Sequence, residues 1–176
     1  VKEYYLNDEG NQINILGKSV NLRALERLGE KQDFPEDCYQ GQYIYDMADT
    51  FLAGRKIKDA AELNALNPAV IRQFAVNYLM DVIKEELKDF GVNFDVWSPQ
   101  SVIADEENIK KTFDDLKSKG HIYEKDGAMW FNTTQYGDDK DRVVKKSDGT
   151  YTYFMPDIVY HQDKFKRGFT KVFNLL

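Results

Sequence analysis

The first half of the chain carries hydrophobic residues at helical spacing. Residues 13–28 and 43–54 each place apolar side chains three to four positions apart, which predicts two amphipathic helices, the second closing near Gly54. Gly29 is the expected end of the first helix, because glycine readily adopts the left-handed conformation that terminates helices. Residues 1–6 are β-branched and aromatic and predict a short strand. The polar stretch 55–67 predicts a surface loop with a short helix.

A third helix has the clearest boundary signals in the chain. Asn67 is a suitable N-cap residue, and Pro68 suits the first helical position, where no backbone N–H is needed. Apolar residues then follow one helical face as far as Phe90. Gly91 is the expected C-terminal end of this helix.

The second half of the chain mixes strand and helix patterns. Residues 92–97 alternate between apolar and polar side chains and predict a half-buried strand, whereas residues 105–119 predict a charged amphipathic helix. Residues 122–131 and 143–154 each contain an Asp-Gly pair between β-forming residues. Because Asp-Gly supplies the positive φ angles of a type I′ turn, both stretches predict β-hairpins.

The C-terminal region predicts a last helix over residues 155–167, with Pro156 at its first position and Gly168 after its end. Residues 169–176 are apolar enough for a buried strand. Such a strand normally continues into a loop, and no polar tail follows here. This pattern suggests an internal part of a longer protein.

Composition then narrows the classes of protein. With 176 residues, 42% of them hydrophobic and 31% charged, the chain supports one sizeable core and is not wholly disordered. The formal charge of −6 argues against indiscriminate nucleic-acid binding, although it does not exclude a basic stripe on an acidic body. No apolar run is long enough to span a membrane or to act as a secretory signal. The single cysteine, Cys38, allows no internal disulfide and favours a reducing compartment.

Tyr153 and Asp157 are the first candidate binding residues. They bracket the start of the last predicted helix, where the helix dipole stabilises a carboxylate. Facing a cleft, the pair would suit a planar cation, because an acid pairs with a guanidinium and a ring stacks on it. Alternatively, Asp157 only complements the dipole and Tyr153 fills the core. His161, one turn further on, is either a polar group of the same cleft or an exposed i,i+4 partner.

Two clusters of charge have alternative interpretations. Lys164, Lys166 and Arg167 belong to a run without acidic residues, which either meets a phosphate or forms a solvated helix end. Residues 137–142 contain three carboxylates without the alternating spacing of a calcium loop, so we expect an ion-pair cluster and no metal site. The sequence has no glycine-rich phosphate loop and no G-x-S-x-G elbow, and Cys38 has no histidine nearby in sequence. Nucleophilic catalysis therefore has no support.

Ordered blocks covering nearly the whole chain resemble those of bacterial arginyl-tRNA synthetases, most weakly between about residues 50 and 70. Residues 3–12 resemble the E-Y-Y-x-N-D-x-G-x-Q segment of that family, and residues 34–41 resemble its F-P-x-D-G-Y-x-G connector. The remaining blocks are Y-E-x-D-G-A-x-W at 123–130, G-D-D-K-D-R-V at 137–143, K-S-D-G-T at 146–150 and T-Y-x-x-x-D-I-x-Y-H within 151–161.

The resemblance implies an α/β fold: a partial Rossmann-type class I synthetase catalytic domain with a helical insertion and, from the Asp-Gly pairs, two β-hairpins. Residues 1–10 would begin the catalytic core, 11–72 would form the insertion, and 73–176 would resume the core with the arginine-site helix at 155–167. Members of the family join L-arginine to tRNA(Arg) with ATP and Mg²⁺ through an arginyl-adenylate. The implied parent enzyme is a cytoplasmic ligase, expected to be monomeric, with no membrane partner.

Carried over by position, Tyr153 and Asp157 match the arginine-binding Tyr and Asp of the family. Gln100 stands where the family usually has a glutamate facing the guanidinium, so that negative charge is missing here. His161 is expected to join the same arginine site. Cys38 replaces a connector glycine, which would be costly at a positive φ angle.

The resemblance also bears on tRNA and on ATP. Asn7, together with the cations at 164, 166 and 167, is a candidate for contact with tRNA or phosphate. The HIGH-type and KMSK-type ATP motifs are absent, so we expect an internal fragment that is inactive alone. The alternative is a degenerate synthetase-like module that binds arginine or tRNA without catalysis, for which Gln100 is the sequence support.

Overall fold

A computed structural model describes residues 1–174 and divides the chain into two compact units, Val1–Val96 and Trp97–Leu176. The predicted mixture of helices and strands is confirmed. The first unit is mainly helical, and the second combines helices with a small sheet. Its elements are β1 (Glu3–Leu6), α1 (Asn11–Arg27), α2 (Gln42–Arg55), α3 (Ala60–Asn64) and α4 (Pro68–Asp89).

The division between the two units falls inside strand β2 (Val96–Pro99), because Val96, the first residue of this strand, is the last residue of the first unit. The elements of the second unit are β2, α5 (Gln100–Ile103), α6 (Glu106–Ser118), β3 (Ile122–Lys125), β4 (Ala128–Phe131), a 3₁₀ turn (Thr133–Tyr136), β5 (Arg142–Lys145) and α7 (Phe154–Lys166). Within the described residues, no helix combines the length and the apolar run needed to cross a bilayer.

The core of the first unit lies between α1, α2 and α4, which pack against one another. Ile44, Met47 and Phe51 are the largest fully buried side chains contributed by α2. The ring of Phe51 meets the ring of Phe74 edge-on, with 5.0 Å between centroids. At the other end of the unit, the Lys2 carbonyl accepts a hydrogen bond from the Asp95 amide at 2.8 Å.

The core of the second unit lies between the sheet and helices α6 and α7. Strands β3, β4 and β5 form an antiparallel sheet in that order. Phe113 of α6, Val144 of β5 and Met155 and Val159 of α7 are buried there. This packing fixes which face of α7 is exposed.

The helix boundaries largely confirm the sequence signals. The Asn67 side chain accepts a hydrogen bond from the Ala69 amide at 2.9 Å, as an N-cap residue does. Gly29 and Gly91 follow their helices with φ angles of 90° and 81°. The second helix ends at Arg55, next to Gly54 as predicted, and its C-cap residue Lys56 adopts a left-handed conformation.

The first predicted hairpin is confirmed and the second forms differently. Lys125 pairs with Ala128 across Asp126 and Gly127, which both have positive φ angles, as a type I′ turn requires. In the second hairpin only Gly149 has a positive φ, and Lys145 bridges Tyr151. The loop is therefore longer than two residues, with the Lys146 carbonyl accepting from the Gly149 amide. Its returning strand is a single bridge, because the chain enters α7 at Phe154.

Three further expectations need correction. The strand predicted at 92–97 begins only at Val96 and continues to Pro99. The buried strand predicted at 169–176 is wrong for residues 169–174, where no strand forms and the Phe173 side chain is 89% exposed; residues 175–176 lie outside the described residues. Helix α7 begins one residue earlier than predicted and places Pro156 third, where its missing N–H is still harmless.

The proposed domain boundaries stay predictions. Helix α4 continues without interruption through residue 72, where the helical insertion was expected to end, and the two compact units divide after Val96. Cys38 is buried, and its φ angle is not positive. A side chain in place of the connector glycine therefore introduces no backbone strain here.

Candidate functional site: the start of helix α7

Tyr153 and Asp157 lie on the side of α7 that faces away from the core. Met155 and Val159 anchor the opposite side of the helix in the second unit, with exposures of 0% and 4%. Tyr153 immediately precedes the helix and is 73% exposed, so it does not fill the core. Asp157 lies in the first turn, and its amide approaches the Tyr153 carbonyl at 3.4 Å. The ring and the carboxylate are thus one helical turn apart.

The Asp157 carboxylate is unpaired within residues 1–174. Neither a side chain nor a backbone amide of the described chain donates a hydrogen bond to it. Burial raises the pKa of the Asp157 carboxyl above its usual value, and the charge of His161 acts in the opposite direction. The Asp157 side chain is exposed, so its charged form is accessible to an incoming cation.

His161 lies one turn beyond Asp157, at i+4. Burial lowers the pKa of the His161 imidazole, Lys164 adds to this effect, and Asp157 opposes it. The imidazole stands 5.9 Å from the ring of Tyr160, centroid to centroid. His161 is accordingly half-buried beside Asp157 and is not a fully solvated partner.

Gln100 belongs to the same unit and opens the short helix α5. This helix packs against α7, which brings the element that carries Gln100 to the helix that carries Asp157. A neutral amide at this point can accept a hydrogen bond from a guanidinium but adds no charge. Gln100 therefore stays a predicted member of the arginine site.

The three cations at the end of α7 do not behave alike. Lys164 is only 6% exposed, with its Nζ 3.8 Å from the centroid of the Tyr160 ring and 3.1 Å from Asn174 Oδ1. Its stem and ammonium are packed within the unit, so the prediction of a phosphate-facing or solvated Lys164 needs correction. Lys166 and Arg167 are exposed. They keep the predicted role in contact with tRNA or phosphate.

The exposed cations already have local partners. Lys166 Nζ donates to Gln162 Oε1 at 2.7 Å, and Arg167 Nε pairs with Asp163 Oδ2 at 2.7 Å. The exposed Arg167–Asp163 ion pair contributes little to stability, and the acceptor for Lys166 is a neutral amide, so both cations remain available to an anion. Asn7 is exposed after β1 in the first unit, and its predicted role in contact with tRNA or phosphate is not tested.

The carboxylates at 137–142 form the expected ion-pair cluster. Arg142 donates to both carboxylate oxygens of Asp138, at 2.8 and 2.7 Å, and to Asp139 at 2.8 Å. These bonds hold the pKa of the Asp138 carboxyl well below its usual value. Asp141 accepts from the Tyr123 hydroxyl at 2.7 Å. Among the described residues, no group of three His, Cys, Asp or Glu side chains could hold a metal ion.

Sequence reasoning missed a cavity of about 330 Å³ in the helical unit, lined in part by Lys18 and Arg72. No motif signals it, because its lining comes from residues that are far apart in sequence and become neighbours only when α1 packs against α4.

Comparison with known proteins agrees with this fold. The family model for the catalytic domain of class I tRNA synthetases, the arginine type (R), matches residues 1–174. The chain therefore belongs to the class I tRNA synthetases. Within that class, it belongs to the arginyl family.

Individual relatives agree with this family. An arginine–tRNA ligase of Anoxybacillus flavithermus is 47% identical over 174 residues, and that of Bacillus subtilis is 42% identical; each match covers 99% of this chain. The chain spans 31% of the length of these curated relatives.

A crystal structure of an arginyl-tRNA synthetase from Campylobacter jejuni is 35% identical, with a TM-score of 0.80 over 96% of this chain and 37% of that one. A Plasmodium falciparum structure of the same kind, 12% identical with a TM-score of 0.61 over 93% of this chain and 27% of that one, supports the fold alone.

Proposed function

We propose that this chain is the arginine-recognising part of an arginine–tRNA ligase, which joins L-arginine to tRNA(Arg) with ATP through an arginyl-adenylate. One observation carries the proposal. The Asp157 carboxylate has no partner within residues 1–174 and stands one helical turn from the exposed ring of Tyr153. The family of the chain supports arginine as the cation that this pair receives.

The chemistry of the pair suits a guanidinium. Its planar fork can donate two parallel hydrogen bonds to the Asp157 carboxylate, and its flat face can stack on the Tyr153 ring. The Gln100 amide oxygen would accept one more hydrogen bond, and His161 would form the polar wall beyond Asp157. Bound in this way, the arginine side chain orients its own carboxylate toward the α-phosphate of ATP, so that positioning supplies most of the rate and no protein nucleophile is needed.

The proposal includes the partners of the whole enzyme. We propose that ATP enters the parent enzyme together with Mg²⁺. Lys166, Arg167 and Asn7 are the proposed contacts for tRNA(Arg) or its phosphates. We propose a cytoplasmic enzyme that acts as a monomer.

Calorimetry with the 176-residue chain tests arginine recognition directly. L-arginine should bind, whereas citrulline, which has the same shape without the charge, and lysine, which lacks the planar fork, should bind far more weakly. Asp157→Asn should weaken arginine binding by roughly tenfold to a hundredfold, since a hydrogen bond to a charged group contributes about 1.5–3 kcal/mol. Arginine affinity should also fall on acidification at a higher pH than an ordinary aspartate would give, because the pKa of Asp157 is raised.

Asp163→Asn is the matched control, because it removes the same charge from the same helix at a carboxylate that is already paired with Arg167. Arginine binding that survives Asp157→Asn, or that citrulline reproduces, would contradict the proposal. Gln100→Glu supplies the charge that the family usually has and should tighten arginine binding about tenfold if Gln100 faces the guanidinium.

A second candidate function is arginine or tRNA binding without catalysis, favoured by the neutral side chain of Gln100. The coding sequence on either side of this segment distinguishes the two. A HIGH-type motif upstream and a KMSK-type motif downstream support the ligase, and their absence supports the binding module. In both cases we expect the 176-residue chain to form no arginyl-tRNA from ATP, arginine and tRNA, and turnover near ordinary synthetase rates would overturn that expectation.

A further inference from the structure

The helical unit contains a cavity that has no part in the arginine site. It lies where α1 passes the end of α3 and the start of α4, and its volume is about 330 Å³, within the range of small-molecule pockets. Its floor is apolar and comes from Leu63, Leu66 and Ile71. Leu63 and Ile71 are 2% and 4% exposed, so the floor is part of the unit's rigid core.

One face of α1 forms a polar wall of this cavity. Asn14, Lys18 and Asn21 are spaced four and three residues apart and therefore share that face. Gly17 lies between them and brings the helices close together, because a Cβ atom at this position would meet the Cα of Arg72 at 3.0 Å. Helix α1 therefore presents polar side chains to the cavity instead of extending its apolar core face.

The charge of the lining is positive. Lys18 and Arg72 line the cavity, whereas no carboxylate does, in a chain whose net charge is −6. Within residues 1–174 Lys18 has no hydrogen-bond or ion-pair partner, and Arg72 gives one hydrogen bond, to Asn14 Oδ1 at 2.9 Å. The positive end of the 22-residue helix α4 adds to this potential. These features favour an anion.

The remaining polar groups favour an anion that also carries a heterocycle. Asn21 and Asn64 line the cavity and have no hydrogen-bond partner in the described part of the chain. An amide offers both a donor and an acceptor, the combination that reads a base edge. A bare phosphate would satisfy Lys18 and Arg72 but would leave the apolar floor in contact with water.

We propose that this cavity binds a nucleotide, with its phosphate on Lys18 and Arg72 and its base over the apolar floor against the asparagine amides. The nucleotide is either a free mononucleotide or one unpaired nucleotide of an RNA strand. None of these residues belongs to the arginine site, so the proposal stands or falls independently of the ligase function.

Titration of the 176-residue chain with AMP, inorganic phosphate and a single-stranded RNA hexamer tests the proposal. AMP or the hexamer should bind more tightly than phosphate, and Lys18→Gln or Arg72→Gln should weaken that binding at least tenfold. Lys88→Gln is the matched control, an exposed lysine on the far turns of α4. For the hexamer, log K should fall with log salt with a slope of about −0.7, because one phosphate is neutralised, and each cavity variant should reduce that slope.

Asn64→Trp provides an independent test, because it fills the cavity from an exposed position and keeps both cations. It should abolish AMP binding without lowering the melting temperature of the chain. Binding of AMP alone identifies a free nucleotide, and binding of the hexamer alone identifies an RNA strand. Equal affinity for AMP and phosphate would overturn the proposal, as would no binding of any probe, or binding that Lys18→Gln and Arg72→Gln leave unchanged.

Discussion

The close approach of α1 and α4 at Gly17 predicts that replacing this glycine by alanine destabilises the chain. Alanine in a helix interior is ordinarily favoured over glycine by about 1 kcal/mol. Here the new Cβ would stand 3.0 Å from both Cα and Cβ of Arg72, so it presses on the backbone of α4 and not on a flexible side-chain end. Overpacking of this kind costs about 1–3 kcal/mol, which outweighs the gain in propensity.

We therefore expect Gly17→Ala to lower the free energy of unfolding by about 1 kcal/mol. Gly54→Ala is the matched control: Gly54 lies inside α2 of the same unit, and a Cβ there meets no atom within 4 Å. This variant should raise the free energy of unfolding by about 0.5–1 kcal/mol. Urea unfolding followed by far-ultraviolet circular dichroism measures both, and stabilisation by both alanines would refute the reasoning.

Two other predictions concern the core and the candidate site. Phe51→Ala should lower the free energy of unfolding by about 3–5 kcal/mol, because Phe51 is 1% exposed and packs on Phe74, whereas the exposed Val82→Ala should change it by about 0.5 kcal/mol or less. Because the pKa of His161 is lowered in the folded chain, the imidazole of the unfolded chain is protonated at a higher pH than that of the folded chain. The free energy of unfolding should therefore fall as the pH drops through the ordinary value of 6.5. His161→Gln should flatten that part of the pH–stability curve in urea unfolding, and an unchanged curve would contradict the assignment.

Local signals in the sequence predict most of the helices and the first hairpin. Asn67 caps α4 through a hydrogen bond to a residue two positions away. The turn at Asp126-Gly127 depends only on the positive φ angles of these two residues. Such features depend on neighbouring residues alone. The amphipathic spacing of α1 and α2 likewise predicts helices without specifying which other element they pack against.

Features decided by distant contacts are not predictable in this way. Lys164 belongs to a basic run, yet it is buried, because the ring of Tyr160 and the amide of Asn174 accept its ammonium. The second hairpin loses its returning strand because Phe154 already belongs to α7. The cavity at Lys18 depends on a helix contact across 58 positions, the separation of the hydrogen-bonded pair Asn14 and Arg72.

Asp157 differs from the other aspartates of the second unit in how its charge is satisfied. Asp126 lies in the β3–β4 turn, where its positive φ angle explains why an aspartate occupies this position. The other aspartates of this unit apart from Asp157 cap a helix, close a loop or accept an ion pair, at positions 105, 114, 115, 138, 139, 141, 148 and 163.

Asp157 has none of these roles within the described residues. If it only complemented the dipole of α7, its carboxylate would be stabilised and its pKa lowered. Partial burial instead raises the pKa of Asp157, so the folded chain holds this exposed carboxylate at a small loss of stability. A cation that binds there would remove the loss, which is the physical reason to expect that arginine binding lowers the pKa of Asp157 and stabilises the second unit.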